Sequence, residues 1–410
     1  MKLVINKELY YQILFMICVI IPFFNNYELS FLVWLIVALV TIKKSYSVTF
    51  IKHLSYFILI ISIAFFVGLF FDYAIYYIIR DITYLLKPIF GLILGYQLFY
   101  DKIKNPFQFI VYAGVAIASY HLGLVTWGIF IKGARTVGQV REYGGYFNDF
   151  EVYVLIILLF SKQFQLNFFR QKTILFLIIL GLSSFFYLAR TNFIQFVILF
   201  MAMKGLLVLN KRSLMVIISL LISIVACYIA ILSYNPKRNS TGLEEFLFKV
   251  KNAPIEAFST RINRADWKDF NDNYRSYENI STIQQLSNHH NVIFGEGIGS
   301  RVDLKQKIFL GDQNLRFISI LHNGYMTVYL KSGLIGVLLL LISIFYFFKK
   351  QNSYSDLDSQ INLLFFGTGV FLIFSYWVFL GFYNQIDTKT LLIGFLFAFK
   401  NQIKNQSQND

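Results

Sequence analysis

One feature recurs too often in this chain for a soluble fold: apolar runs close to the ~17–25 residues that a helix needs to cross a bilayer. They lie near 8–24, 28–42, 54–71, 80–100, 107–131, 149–160, 173–189, 192–209, 213–234, 323–348, 361–382 and 388–400. The sixth and twelfth runs are short, so they extend into their flanks or lie tilted and buried. Composition agrees, because 57% of residues are hydrophobic and 14% are charged, against about a quarter charged in a soluble domain. The first run is followed at once by a second with no small-residue cleavage site, so it reads as a retained span. The expected fold is an all-α polytopic membrane protein of about 12 transmembrane helices.

The loops set an orientation. If the spans alternate, "MKLVINK", "IKKSYSVTFIKH", "YDKIKNP", "SKQFQLNFFRQK", "NKRS", "FKKQNSYSDLDSQ" and "KNQIKNQSQND" all fall on one face. "FNNYE", without Lys or Arg, falls on the other. Basic residues mark the cytoplasmic face, so both termini are expected there. The net charge of +15 then follows from the short loops and does not call for a nucleic-acid partner. Cys18 and Cys227 sit inside apolar runs as small packing residues. No disulfide framework or Cys/His metal spacing is present, and adjacent His289 and His290 lack Cys or carboxylate neighbours.

Three regions result. Residues 1–234 carry helices one to nine, 235–321 form a large external loop between helices nine and ten, and 322–410 carry the last three spans and a cytoplasmic tail. The loop has twelve basic and ten acidic residues, so it is not a polybasic arm. Ile262, Trp267, Phe270 and Tyr274 recur at roughly helical spacing, which suggests amphipathic helices on the membrane surface. "GEGIG" at 295–299 precedes no Walker-type lysine, which excludes a nucleotide loop.

The chemistry-bearing residues cluster at the outer ends of spans. In "LHNGYMTVYLKSGLIG", His322 stands at the border of the loop and Asn323 can cap the helix that follows. Gly333 and Gly336 would allow close helix approach. Spacing alone leaves His322 either an interfacial polar residue or a general base, since imidazole titrates near neutral pH. Arg80, Tyr84 and Lys87 fall at i, i+4 and i+7, giving one cationic, aromatic face entering the bilayer. That face needs an anionic partner or a cavity, or else snorkels to the interface with Arg80 and Asp81 neutralising each other. Arg190 lies in the tight "ARTN" turn, and Arg135 and Arg141 lie in the glycine-rich "KGARTVGQVREYGG". Lys331, two turns inward from His322, has no role assignable from the sequence.

The order His322, Asn323, nine residues, Gly333, two residues, Gly336 resembles the motif of the O-antigen ligase/polymerase family. "RADWKDF" followed by "NVIFGEGIGS" is similar to that family's Arg-x-x-Trp helix and glycine turn. "GGYFNDFEVYVLIILLF" resembles its glycine–Asn start of a middle span, with Asn148-Asp149 where Asn-Pro is usual. "FFYLARTNFIQFVILF" resembles its Ser-Arg-Thr turn, with Ala189 replacing the serine. The resemblance covers about residues 140–345. It implies a bacterial inner-membrane glycosyltransferase, its site facing the periplasm or exterior, that takes glycan from an undecaprenyl diphosphate carrier without metal or cofactor. By this resemblance His322 is the base, while Arg190 and Arg80 hold the diphosphate. Arg135, Arg141, Lys87, Tyr84 and Asn323 are further substrate contacts. The expected activity is O-antigen or capsule polymerase, with transfer of finished glycan to lipid A–core as the alternative and lipid-linked oligosaccharide transport as one of another class. A chain-length regulator is a candidate partner.

Overall fold

The computed structural model describes residues 6–24, 26–99, 105–145, 148–207, 211–237, 244, 247–248, 250–252, 273–310, 313–349, 353–384 and 388–409. Trp267 and its neighbours Ile262 and Phe270, read above as part of an amphipathic helix, lie outside these residues, as does the Arg-x-x-Trp stretch. The chain runs through α1 (Lys7–Ile20), α2 (Tyr27–Val40), α3 (Val48–Gly68), α4 (Ile75–Leu98), α5 (Pro106–Phe130), α6 (Val137–Gly144) and α7 (Asp149–Leu159). It continues with α8 (Arg170–Phe186), α9 (Arg190–Met203), α10 (Lys211–Tyr234) and α11 (Tyr274–Asn288), then the strands β1 (Val302–Leu310) and β2 (Gln313–Ile318). It ends with α12 (Gly324–Phe345), α13 (Asp356–Val378) and α14 (Lys389–Asn409).

Every apolar run of the sequence coincides with a helix. Local chemistry fixes their starts: the side chains of Asn6, Asn26, Ser47, Asn148, Asn323 and Ser355 each accept a first-turn backbone N–H. Length and apolarity suffice for membrane crossing in five stretches among the described residues, Lys7–Phe24, Val48–Gly68, Pro106–Phe130, Gly324–Phe348 and Asp356–Val378. The chain is therefore a helical, multi-pass membrane protein. Two of the other helices depart from the simple span for identifiable reasons. α4 carries Arg80, Asp81 and Lys87, while α7 has 11 residues, about 16 Å of rise against the ~30 Å hydrocarbon core. Positions 149–158 of α7 are all buried, so it is an interior helix surrounded by protein.

The all-α expectation needs one correction. β1 and β2 form an antiparallel hairpin, pairing Val302 with Ile318 and Asp303 with Phe317, with an irregularity between Asp303 and Ile308. The reason is the period-two pattern of Val302, Leu304, Ile318 and their polar neighbours, which buries one face only. That face joins Tyr274, Tyr277 and Ile308, together with Leu321 and Leu330 of the α12 region, in a small separate core. The described part of residues 235–321 is thus a folded helix–hairpin unit. Tyr274, expected on a membrane-surface helix, contributes to this core.

α4 and α14 pack most extensively, along a glycine seam. A Cβ on Gly95 would sit 1.9 Å from the Leu391 carbonyl oxygen, and one on Gly394 would sit 2.1 Å from that of Leu92. The two backbones touch, which is the use small residues have in membrane bundles. At one end of the bundle the segments containing Ser45, Tyr46, Tyr346, Lys349, Lys400 and Lys404 line a cavity of about 600 Å³. Tyr346, beyond the far end of α12, reaches Thr49 at the start of α3 there. His322 lies before the opposite end of α12, a helix of 22 residues, or about 33 Å. The basic loops and His322 therefore occupy opposite ends.

Substituting Gly95→Ala should force the two backbones apart and cost about 1–3 kcal/mol, the usual range for overpacking. The thermal midpoint of the detergent-purified protein, relative to Gly181→Ala where a Cβ meets open space, measures it.

Candidate functional site

The site is built where the chain enters α12. Asn323 caps the helix by accepting from the Met326 N–H at 3.2 Å, as expected from the sequence. The Gly324 N–H donates to the Phe379 carbonyl at 2.8 Å, which ties the helix start to the end of α13. His322 is thereby fixed one residue ahead of the cap, its side chain 40% exposed. Its Nδ1 lies 3.0 and 3.2 Å from the two carboxylate oxygens of Glu278, and its backbone N–H donates to the same carboxylate at 2.9 Å. Glu278, on α11, is buried. A carboxylate only accepts, so Nδ1 carries the proton and Nε2 of the neutral ring carries the lone pair. Tyr274, one turn before Glu278, meets the imidazole edge-on at 5.7 Å between ring centroids. Burial, and then the Glu278 charge, push the Tyr274 hydroxyl well above its ordinary range. Glu278 was not a candidate from the sequence, because 44 residues separate it from His322 and no local motif marks it.

The glycine turn at 295–299 anchors this arrangement. α12 breaks at Gly333, whose φ of +62° is not helical. The freed backbone groups are used by the turn: Glu296 N–H donates to Leu330 O at 2.8 Å, Gly297 N–H to Lys331 O at 3.1 Å, and Leu334 N–H to Val292 O at 2.9 Å. Gly333 therefore serves a helix break rather than the helix–helix packing expected from its spacing. On the other side Gly297, at φ +77°, sits so close to α3 that a Cβ would fall 2.2 Å from Gly68 N.

Lys331 now has a place. Its ammonium contacts Asp81 at 2.5 Å and donates to the Ser300 carbonyl at 2.5 Å, while Gly299 N–H donates to the same Asp81 carboxylate at 2.8 Å. Both charged side chains are about 2% exposed or less. The Arg80–Asp81 pairing expected from the sequence is present at 3.9 Å, but Asp81 is shared with Lys331, which holds it more closely. Arg80 also reaches the Ser319 hydroxyl and lies over the rings of Tyr76 and Tyr77. Ser319 is three residues before His322, so Arg80 and the histidine belong to one neighbourhood.

The other candidates from the sequence lie on or beside α4, α6 and α9. Lys87 is buried, donates to the Asn384 carbonyl at 2.8 Å and lies over Tyr27 and Trp34. Tyr84 is buried and stacks on Tyr383. Arg190 begins α9 and is exposed, Arg135 is exposed ahead of α6, and Arg141 is half-buried in the last turn of α6. α6 packs chiefly on α5, and α9 on α7 and α13. His289, considered above for metal, contacts the Glu296 carboxylate at 2.6 Å.

A second polar centre escaped the sequence reading. Glu151, fully buried on α7, accepts from Ser183, from Tyr187 at 2.8 Å and from Asn148 at 2.8 Å. His121 Nδ1 lies 2.7 Å from the Ser183 hydroxyl and its ring stacks on Tyr187, 3.7 Å apart. Next to it, Asp149 pairs with Lys389, which also donates to the Gly381 carbonyl at 2.9 Å. The aspartate of the Asn148-Asp149 pair thus supplies the counter-charge of a buried lysine. Two carboxylates beside an apolar run were the available signal, because ionisable groups at membrane depth are expensive unless partnered.

Residues 173–341 match the family model described as O-antigen ligase. The match spans α8 to most of α12 and includes "ARTN", the glycine turn and the His-Asn/Gly-Gly stretch. Over these residues the multi-pass membrane protein is similar to the O-antigen ligase family. The searches of curated proteins and of solved structures each returned no significant match.

Replacing Asp81 by Asn should leave Lys331 without its carboxylate partner in the interior, costing about 3–5 kcal/mol, as when one partner of a buried pair is removed. Combined Asp81→Leu and Lys331→Met should recover most of that loss in thermal unfolding of the purified protein.

Proposed function

We propose that the protein transfers glycan from a lipid-linked donor to an acceptor hydroxyl, and that His322 is the base. The carrying observation is the His322–Glu278 pair: a buried carboxylate holds Nδ1–H and leaves Nε2, on a partly exposed ring, free to take a proton. The acceptor oxygen loses its proton to Nε2 and attacks the anomeric carbon of the donor. The bond from that carbon to the carrier's diphosphate breaks, and Arg80 and Arg190 stabilise the departing charge. One displacement inverts the anomeric centre. Arg135 and Arg141 supply further outer-face contacts to the glycan or phosphate. Lys87 and Tyr84, given their buried contacts, hold α4 to the segment following α13, and Asn323 caps α12.

The donor is an undecaprenyl-diphosphate-linked glycan, and the protein lies in a bacterial inner membrane with its basic loops in the cytoplasm and His322 outside. Polymerisation of O-antigen or capsule repeat units is the leading reaction. Transfer to lipid A–core is the second reading, favoured by the ligase description of the matching family model. A deletion strain discriminates them on lipopolysaccharide gels: core plus one repeat unit means a lost polymerase, and core alone a lost ligase. Transfer by purified protein without an energy source separates both from transport.

His322→Ala is expected to abolish glycan transfer, about 10²–10⁴-fold for a positioned base, and restoration of full polymer by this variant in the deletion strain would sink the assignment. Glu278→Gln should lower kcat about 10-fold or more with little change in KM, with partial rescue by Glu278→Asp. Initial rates on lipid-linked substrate at saturating and limiting concentrations provide the check.

A further inference from the structure

The hairpin brings a cation to the site that neither the motif nor the proposed mechanism uses. Arg301, immediately before β1, places its guanidinium carbon 3.9 Å from the centroid of Tyr77 and 5.1 Å from that of Phe317. Arg80 lies over the same Tyr77 ring at 5.0 Å, and Arg316 lies over Phe317 at 5.2 Å. Three arginines thus alternate with two aromatic rings, an arrangement that cation–π attraction favours. The two guanidinium carbons on Tyr77 are within about 9 Å of each other, near enough for one anion of two acidic groups to touch both.

The charges are not equally compensated. Arg316 makes a two-pronged contact with Asp303 at 2.8 and 2.8 Å, and this holds the Asp303 carboxyl well below its usual range. Asp81, the carboxylate 3.9 Å from Arg80, is shared with Lys331, which holds it more closely. Arg301 has no carboxylate or hydrogen-bond acceptor on its guanidinium among the described residues, and Arg80 has a serine hydroxyl as its closest partner. Two cations near one ring thus have between them one carboxylate, itself divided with a lysine. Their positions are also built rather than incidental. Gln285 of α11 donates to the Arg301 carbonyl at 3.0 Å and accepts from the Asp303 N–H at 2.9 Å, fixing the start of β1. Ser319 ties Arg80 to the strand that leads into His322.

We infer that Arg301 and Arg80, carried on Tyr77 and Phe317, form an oxyanion-binding site for the glycan substrate beside His322. The ligand chemistry is a phosphate or carboxylate oxyanion, which guanidinium groups bind bidentately. The donor's diphosphate and an acidic sugar of the repeat unit are its two sources. Partly exposed Tyr77 and Phe317 rings offer faces on which a sugar attached to that anion can rest. The assignment rests on the proposed glycan transfer for its substrate, and is tested without it.

The test measures binding of inorganic pyrophosphate and, separately, of glucuronate to the full-length protein in nanodiscs, using wild type, Arg301→Gln, Arg301→Lys and Arg80→Lys. Arg301→Gln should weaken the relevant probe about tenfold, and Arg301→Lys about threefold or more, because lysine keeps the charge but loses the planar fork. An effect on pyrophosphate assigns the site to the diphosphate, and an effect on glucuronate assigns it to an acidic sugar. Affinities for both probes within about twofold of wild type in both Arg301 variants would overturn it. No acceptor or turnover enters the measurement, so a failed transferase reading and a failed anion site give different results. Arg301→Lys keeps the charge and length of the side chain, which guards against a mere folding defect.

Discussion

The Lys331–Asp81 ion pair is the interaction on which the surroundings of the candidate site depend. It joins α4 to α12, and its ammonium and carboxylate also bind the backbone of residues 299–300. Because both groups are buried, neither can be satisfied by water, and each needs the other plus these backbone bonds. Everything near the candidate site leans on that junction. Arg80 is the neighbour of Asp81, Arg301 follows Ser300, and His322 begins the helix that carries Lys331. A charged pair here gives position more than stability, since apolar replacements of similar volume often hold a core equally well.

Much of the architecture was legible because hydrophobicity is a local signal. Each apolar run became a helix, and the Asn323 cap and His322 position could be read from consecutive residues. The parts that were not legible depend on contacts distant in sequence. Glu278 meets His322 across 44 residues and Asp81 meets Lys331 across 250. No periodicity encodes such pairs. Gly333 shows a different limit, since a glycine in a membrane helix reads equally as a packing notch or a break, and only the hydrogen-bond partners at Val292, Leu330 and Lys331 decide. The hairpin was hidden by its short alternating segments within an otherwise polar loop. α7 resembled a thin span because its carboxylates sit at its start, where Lys389 and the Ser183–Tyr187 group receive them.

Two of the buried polar centres are joined to different helices. One, around Lys331, lies beneath the His322 neighbourhood. The other, around Glu151, links α5, α7 and α8 through His121, Ser183 and Tyr187. In both, the carboxylate is held by several donors, which is the condition for keeping such groups inside a membrane protein.

The break in α12 has a consequence for how the chain is made. Residues 292–297 complete the hydrogen bonding of a helix that is synthesised after them, and Asp81 waits for a lysine that emerges 250 residues later. Until then Asp81 has only its neighbour Arg80, 3.9 Å away, and the glycine turn has no surface on which to close. Assembly around the candidate site is therefore a late event, completed when α12 arrives, and a ribosome that stalls before residue 331 leaves a bundle of helices without it.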